Sequence, residues 1–276
     1  MLRLASEEAF SQRRAEELEQ LILAEGPDTV GAFIGEPVLG TGGITPPPAG
    51  YWPAIQAVLR NYDVLLIADE VVTAFGRTGR MFGCETYGIE PDLITIAKGL
   101  TSAYVPMSAC LVNERVFEVM KKGSEVIGAF SHGYTYSGHP LAAAAANAVL
   151  DIVEKEDLPG NAAGTGGYFQ EQLRAAFADH PLVGEVRGVG LMGAIEFVAD
   201  RKAKTRFDPA LKVGARVSAA ALERGLIARA MPHGDILGFS PPLVIRRAEV
   251  DQLVERAKGA VDYVAGDLTA KGSWQP

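Results

Sequence analysis

Apolar positions along this chain follow two periods, and the change between them divides it. From Ser6 to Ala24, Phe10, Leu18, Leu21 and Ile22 recur at helical spacing. Gly26-Pro27 predicts the end of that helix. Gly31 to Pro37 reads as a short strand stopped by its proline, followed by a Gly- and Pro-rich loop up to Gly50. Tyr51 to Arg60 predicts a helix that tolerates Pro53 in its first turn. Val64 to Val71 comes next, reading as a buried strand that ends on a carboxylate, then the short apolar run Leu93 to Ala97 and a shorter strand, Met107 to Asn113. His139 to Glu156 predicts a long helix. After it, helices around Tyr168 to Ala178, Pro209 to Arg224 and Glu249 to Leu268 alternate with hairpin-like strands drawn from Val189 to Val198 and Gly225 to Val244. The pattern predicts an α/β architecture with a mostly parallel, doubly covered sheet over residues 1–151. An α+β domain is expected over 152–276.

The two central runs carry the chemistry. The first ends on Asp69 and the second on Lys98. As neighbouring parallel strands they would bring both side chains to one sheet edge, and open α/β sheets bind ligands at their carboxyl edge. A carboxylate facing a pyridinium nitrogen and a lysine facing an aldehyde are what pyridoxal phosphate chemistry requires. Taken alone, a strand-end lysine is more often a solvated amine.

Charge and composition narrow the alternatives. The net charge of −8, with no basic stripe, argues against a nucleic-acid partner. Cys84 and Cys110 make neither a disulfide framework nor a metal site, and read as two reduced, buried thiols. His132, His139, His180 and His233 lack metal-ligand spacing with any cysteine or acid, so no metal is expected. The N-terminus is acidic where a signal peptide would be basic, and the apolar stretch Leu141 to Val153 is interrupted and too short to span a bilayer. A soluble, cytoplasmic protein is expected. The run Leu65 to Glu70 resembles the acidic strand of a P-loop ATPase, but the phosphate-cradling Gly-x-x-x-x-Gly-Lys motif does not occur. Gly188-Val189-Gly190-Leu191-Met192-Gly193 fits a dinucleotide fingerprint in letters only, because a strand pattern follows it where a helix is needed.

Five motifs in order resemble the class III aminotransferases: Gly35 to Gly43, Ala68-Asp69-Glu70-Val71, Phe75 to Gly79, Ala97-Lys98-Gly99-Leu100, and His132 to Pro140. The likeness is to the ω-amino acid or amine:pyruvate branch. It implies the fold type I architecture of pyridoxal-phosphate transferases, with part of a large-domain sheet and a C-terminal small domain. By that resemblance Lys98 forms the Schiff base with pyridoxal 5'-phosphate and shuttles the substrate proton. Asp69 is the partner of the pyridine nitrogen, and Val71 packs on a ring face. Thr135, with the backbone around Tyr134, resembles the segment that reaches the cofactor phosphate of a neighbouring subunit, which implies a homodimer with shared active sites. Arg229 matches the arginine that grips the carboxylate of pyruvate or alanine, and Glu36 the glutamate that pairs with it when no carboxylate is bound. Substrates would be a small amine and a 2-oxo acid.

Against the family pattern the chain starts late. The Gly-Ser-rich turn that opens a helix on the cofactor phosphate has no counterpart here, nor does the aromatic that stacks on the ring. The expectation is weak cofactor binding and little transaminase activity from this polypeptide alone, with the strands bearing Glu36 and Cys110 at bare sheet edges. A fragment, a misplaced start and half of a split gene all fit. A non-catalytic module that docks on an N-terminal half is the competing reading, and a 2-oxoglutarate-using relative is another. Ala74 and Ala103 stand where the family usually has glycine.

Overall fold

The structure, a computed structural model, describes residues 6–275. The chain forms two compact units. Among the described residues, the first holds 6–37, Pro47–Phe75 and Met81–Asp157; the second holds Val38–Pro46, Gly76–Arg80 and 158–275.

In the first unit, α1 (Glu7–Glu25) begins where the Ser6 hydroxyl accepts the Ala9 N–H at 3.2 Å. It packs on α2 (Tyr51–Asn61), whose Trp52, Ile55 and Leu59 are buried. Strands β1 (Ala32–Gly35), β2 (Leu65–Asp69) and β3 (Leu93–Ile96) run parallel, and β4 (Ala109–Val112) pairs antiparallel with β3. The order β1-β2-β3-β4 leaves β1 and β4 outermost. The short α3 (Gly83–Tyr87), α4 (Glu114–Ile127) and α5 (Pro140–Lys155) complete the unit.

Register fixes which residues share a sheet face. Phe33, level with Leu66, and Ala68, level with Ile94 and Leu111, share one face, where α1 and α2 cover Leu66 and its neighbours. Ile34, Ile67, Leu93 and Val112 lie level on the other. There Ile34 is 59% exposed and Val112 37%. The double coverage expected from the alternation of elements is therefore incomplete among the described residues. Helix α4, which the sequence reading passes over, has no buried residue; Phe117, Val119 and Ile127 on it are exposed.

The second unit is a four-stranded antiparallel sheet backed by helices. Its strands are β5 (Val183–Val189), β6 (Met192–Phe197), β7 (Arg229–Ala230) and β8 (Ile236–Phe239), in the order β5-β6-β8-β7. Helices α6 (Leu158–Phe177), α7 (Val213–Glu223) and α8 (Arg247–Ala270) enclose a single core in which Phe169, Leu173, Phe197, Leu237 and Val261 are excluded from solvent. Two expectations need correction. Helix α6 starts at Leu158, ten residues before the predicted Tyr168, and β5 is a strand that the pattern does not predict. The first difference traces to glycines. A Cβ on Gly166 would stand 2.5 Å from the Gly190 carbonyl carbon, so the helix accepts a poor helix former where the β5–β6 turn crosses it. The Gly188-to-Gly193 run ends β5, turns at Gly190-Leu191 and opens β6.

Candidate active site

Three sequence-predicted residues leave the same edge of the first unit's sheet. Gly35, paired with Ala68, is followed by Glu36; β2 ends on Asp69, paired with Thr95; β3 ends at Ile96, two residues before Lys98. Asp69 and Lys98 are thus borne on adjacent parallel strand tips. The Asp92 carboxylate steadies the far end of these strands by accepting the Leu66 N–H at 2.9 Å and the Asn113 side-chain N–H at 2.9 Å.

Asp69 is held in place. Its Oδ1 accepts the Val71 N–H at 3.0 Å, which turns the chain sharply after the strand, while Oδ2 takes no hydrogen bond among the described residues. Val71 thus enters the site first through its backbone. Lys98 sits at φ 39°, in the left-handed region that only glycine enters without strain. The chain leaves β3 abruptly there and forms one turn of 3-10 helix over Lys98–Thr101. Gly99 follows because a Cβ would meet the buried Phe75 ring at 3.0 Å. Backbone outliers of this kind concentrate at functional sites. The Lys98 side chain is exposed in this chain, where the resemblance leads one to expect burial beside a ring.

Glu70 is a positioning residue that sequence reasoning misses. It is fully buried, and its carboxylate accepts the Gly83 N–H at 2.9 Å, the Cys84 N–H at 2.6 Å and the Thr73 hydroxyl. It closes the loop that runs from Asp69 to α3. Burial, reinforced by the Glu70 carboxylate, pushes the Cys84 thiol far above its ordinary pKa, so Cys84 is an inert core thiol. Cys110 is exposed on β4, which corrects the expectation that both cysteines are buried; both are free thiols.

Tyr134 and Thr135 lie apart from this cluster in an exposed turn, where the Tyr134 N–H donates to the Ser137 hydroxyl at 3.2 Å and Tyr134 is 75% exposed. The turn leads into α5, whose Ala146 packs with Leu100 and Phe75 under the Lys98 turn. In the second unit, Arg229 opens the edge strand β7, pairs with Gly238 and is exposed. A half-buried cation of that unit, Arg77, donates to the carbonyls of Leu191 (3.3 Å) and Pro241 (2.5 Å) and so fastens the Gly76–Arg80 segment; loss of solvent around its guanidinium lowers its pKa to about 10. Ala103 adopts φ 62° and Ala74 is buried without such strain, so only the first occupies a conformation that asks for glycine.

The family model for aminotransferase class III matches residues 2–261. The chain belongs to the class III aminotransferases. Curated relatives of this class III chain include an uncharacterized aminotransferase, y4uB, of Sinorhizobium fredii, 70% identical over 97% of this chain and 57% of the relative. Another is a diaminobutyrate–2-oxoglutarate transaminase of Halomonas elongata, 63% identical over 98% of this chain and 58% of its own length. A solved omega transaminase from Pseudomonas jessenii, in complex with PMP, is 48% identical with a TM-score of 0.92, over 96% of this chain and 58% of that one. The chain spans somewhat over half the length of these relatives. Its fold is that of the pyridoxal-phosphate-dependent transaminases of fold type I. The site's donor set fits that cofactor at the ring, since Asp69 keeps one carboxylate oxygen for a ring N–H and an amine stands on the neighbouring strand tip.

Proposed function

We propose that this chain carries the lysine-and-carboxylate part of a transaminase site whose reaction moves an amino group from an amine or ω-amino acid to pyruvate. The observation that carries the reading is the parallel β2–β3 pairing that sends Asp69 and Lys98 off one sheet edge. Pyridoxal phosphate, when bound, supplies a protonated ring that withdraws electrons and an aldehyde that condenses with amines. Asp69 holds the proton on the ring nitrogen, with its Oδ1 already fixed by Val71, which packs against the ring face. Lys98 is the nucleophilic amine and moves the proton at the substrate α-carbon. Thr135, with the backbone at Tyr134, donates to the phosphate held by a second copy of the chain; exposure of that turn in a single chain suits a contact made in trans. Arg229 binds the substrate carboxylate, a task suited to its planar fork, and Glu36 is the acidic group that balances it. The working unit on this reading is a cytoplasmic homodimer.

A 2-oxo acid other than pyruvate has specific support, because the Halomonas relative at 63% identity is a diaminobutyrate–2-oxoglutarate transaminase. The exposed Lys98 and the open sheet face support weak cofactor retention by this polypeptide alone, in line with a part that works with further chain. Titration with pyridoxal phosphate, followed by the visible band of the amine-bound aldehyde, tests the assignment. A weak band that vanishes in Lys98→Ala is expected. Equal bands in the two proteins would remove Lys98 from its role. Offering pyruvate and 2-oxoglutarate separately to the aminated cofactor form decides the acceptor.

A further inference from the structure

One polar atom beside the site is left over. The Thr95 hydroxyl is buried and makes no hydrogen bond. It lies in a β-branched strand residue whose backbone partners are fixed on both sides: Thr95 is level with Asp69 on β2 and with Cys110 on β4. Residues level across a sheet project from the same face, about 5 Å apart. The Glu70 N–H donates to the Thr95 carbonyl at 3.0 Å, so the β2–β3 ladder persists through the site and holds the two side chains abreast. Of the flanking side chains, Cys110 is exposed and its thiol turns to the Leu111 carbonyl at 3.8 Å. Asp69 alone offers a strong acceptor, and its Oδ2 is uncommitted.

We propose that Thr95 is a positioning residue for Asp69, its hydroxyl donating to Oδ2 after a side-chain rotation so that Val71 and Thr95 together fix the plane of the carboxylate. The physical drive is the cost of burying a hydroxyl with no partner, which a charge-assisted bond removes. A carboxylate clamped at both oxygens presents its remaining lone pair in one direction, which is what a ring N–H needs. This rests on the proposed role of Asp69, but the coupling between the two side chains exists without any cofactor and is tested without one.

The experiment is a double-mutant cycle on unfolding of the full chain, with Thr95→Val, Asp69→Asn, the double variant and Thr95→Ser. In Asp69→Asn, the Val71 N–H keeps the amide oxygen on the Oδ1 side, so Thr95 loses its acceptor. Thr95→Val is expected to weaken the folding equilibrium about tenfold beside Asp69, and to be neutral or stabilising in the Asp69→Asn background. Thr95→Ser is expected to keep the coupling. The sign decides: a hydroxyl that stays orphaned makes Thr95→Val stabilising in both backgrounds, and that result overturns the proposal. Equal losses in both backgrounds would reduce Thr95 to packing and overturn it as well. Thr95→Ala in the same cycle reads the coupling should valine prevent folding. Loss of cofactor binding in Lys98→Ala leaves this cycle unchanged, so the two readings fail separately.

Discussion

The two units solve the burial problem differently. The second closes one core around Phe169, Leu173, Phe197, Leu237 and Val261 with helices and an antiparallel sheet. The first spreads its apolar residues over smaller clusters, around Trp52 and around Phe75, and leaves Ile34 on the sheet, and Phe117 and Ile127 on α4, in contact with solvent. Parallel strands are ordinarily covered on both faces, so this sheet departs from the usual arrangement among the described residues. The unit with the open face carries Asp69 and Lys98. The candidate residues Asp69 and Lys98 thus lie on the unit with the more exposed apolar surface, whereas Arg229 lies on an edge strand of the unit with the closed core.

The largest expected effect tests the claim of a closed core. Phe169→Ala in the second unit should cost about 3–5 kcal/mol, read by urea unfolding, with amide protection lost across α6 and β6. A loss no larger than that of a surface substitution would break the contrast. Next, Glu70→Ala strands the Gly83 and Cys84 N–H groups and should cost about 2–4 kcal/mol, with exchange rising through residues 70–85. Ala103→Gly should stabilise the first unit by about 1 kcal/mol, because it relieves a left-handed alanine; a loss on thermal melting would refute the strain.

The smallest effect concerns pH. In the second unit the His180 Nδ1 accepts the Leu182 N–H at 3.2 Å and its other nitrogen meets Asp262 at 3.1 Å. Burial lowers the His180 pKa below 6.5, outweighing the opposing pull of Asp262; Lys258 and Arg201 add to the lowering. The unfolded state therefore binds the proton more readily. Its contribution is fully present above about pH 6.5 and declines as pH falls through the folded value. His180→Gln should flatten this part of the stability–pH curve, a change seen in midpoints collected from pH 7.5 to 5.

Much of this was legible in the sequence because local signals agreed. Val64 to Val71 and Leu93 to Ala97 are short, apolar and end on chemistry, so their pairing and the placement of Asp69 and Lys98 followed from period and topology. The misses at Glu70 and α6 share a cause, which is contact across long sequence separation. Glu70 stands beside the noticed Asp69, yet its role is set by N–H groups 13 and 14 residues later. Helix α6 carries glycines that read as a breaker, although Gly166 is there to admit the Gly190 backbone. In α4, Val116, Phe117, Met120 and Ile127 recur at helical spacing, a pattern the sequence reading passes over, and the helix buries none of them. Exposure of Lys98, Cys110 and Thr135 is likewise a property of packing and not of pattern.

Reductive trapping with pyridoxal phosphate and borohydride, followed by peptide mapping, bears most directly on the shared strand edge. Trapping records even weak occupancy. Label is expected to concentrate on Lys98 and to fall several-fold in Asp69→Ala at equal cofactor concentration. Label spread evenly over the lysines, or unchanged by loss of Asp69, would contradict a site built on that edge.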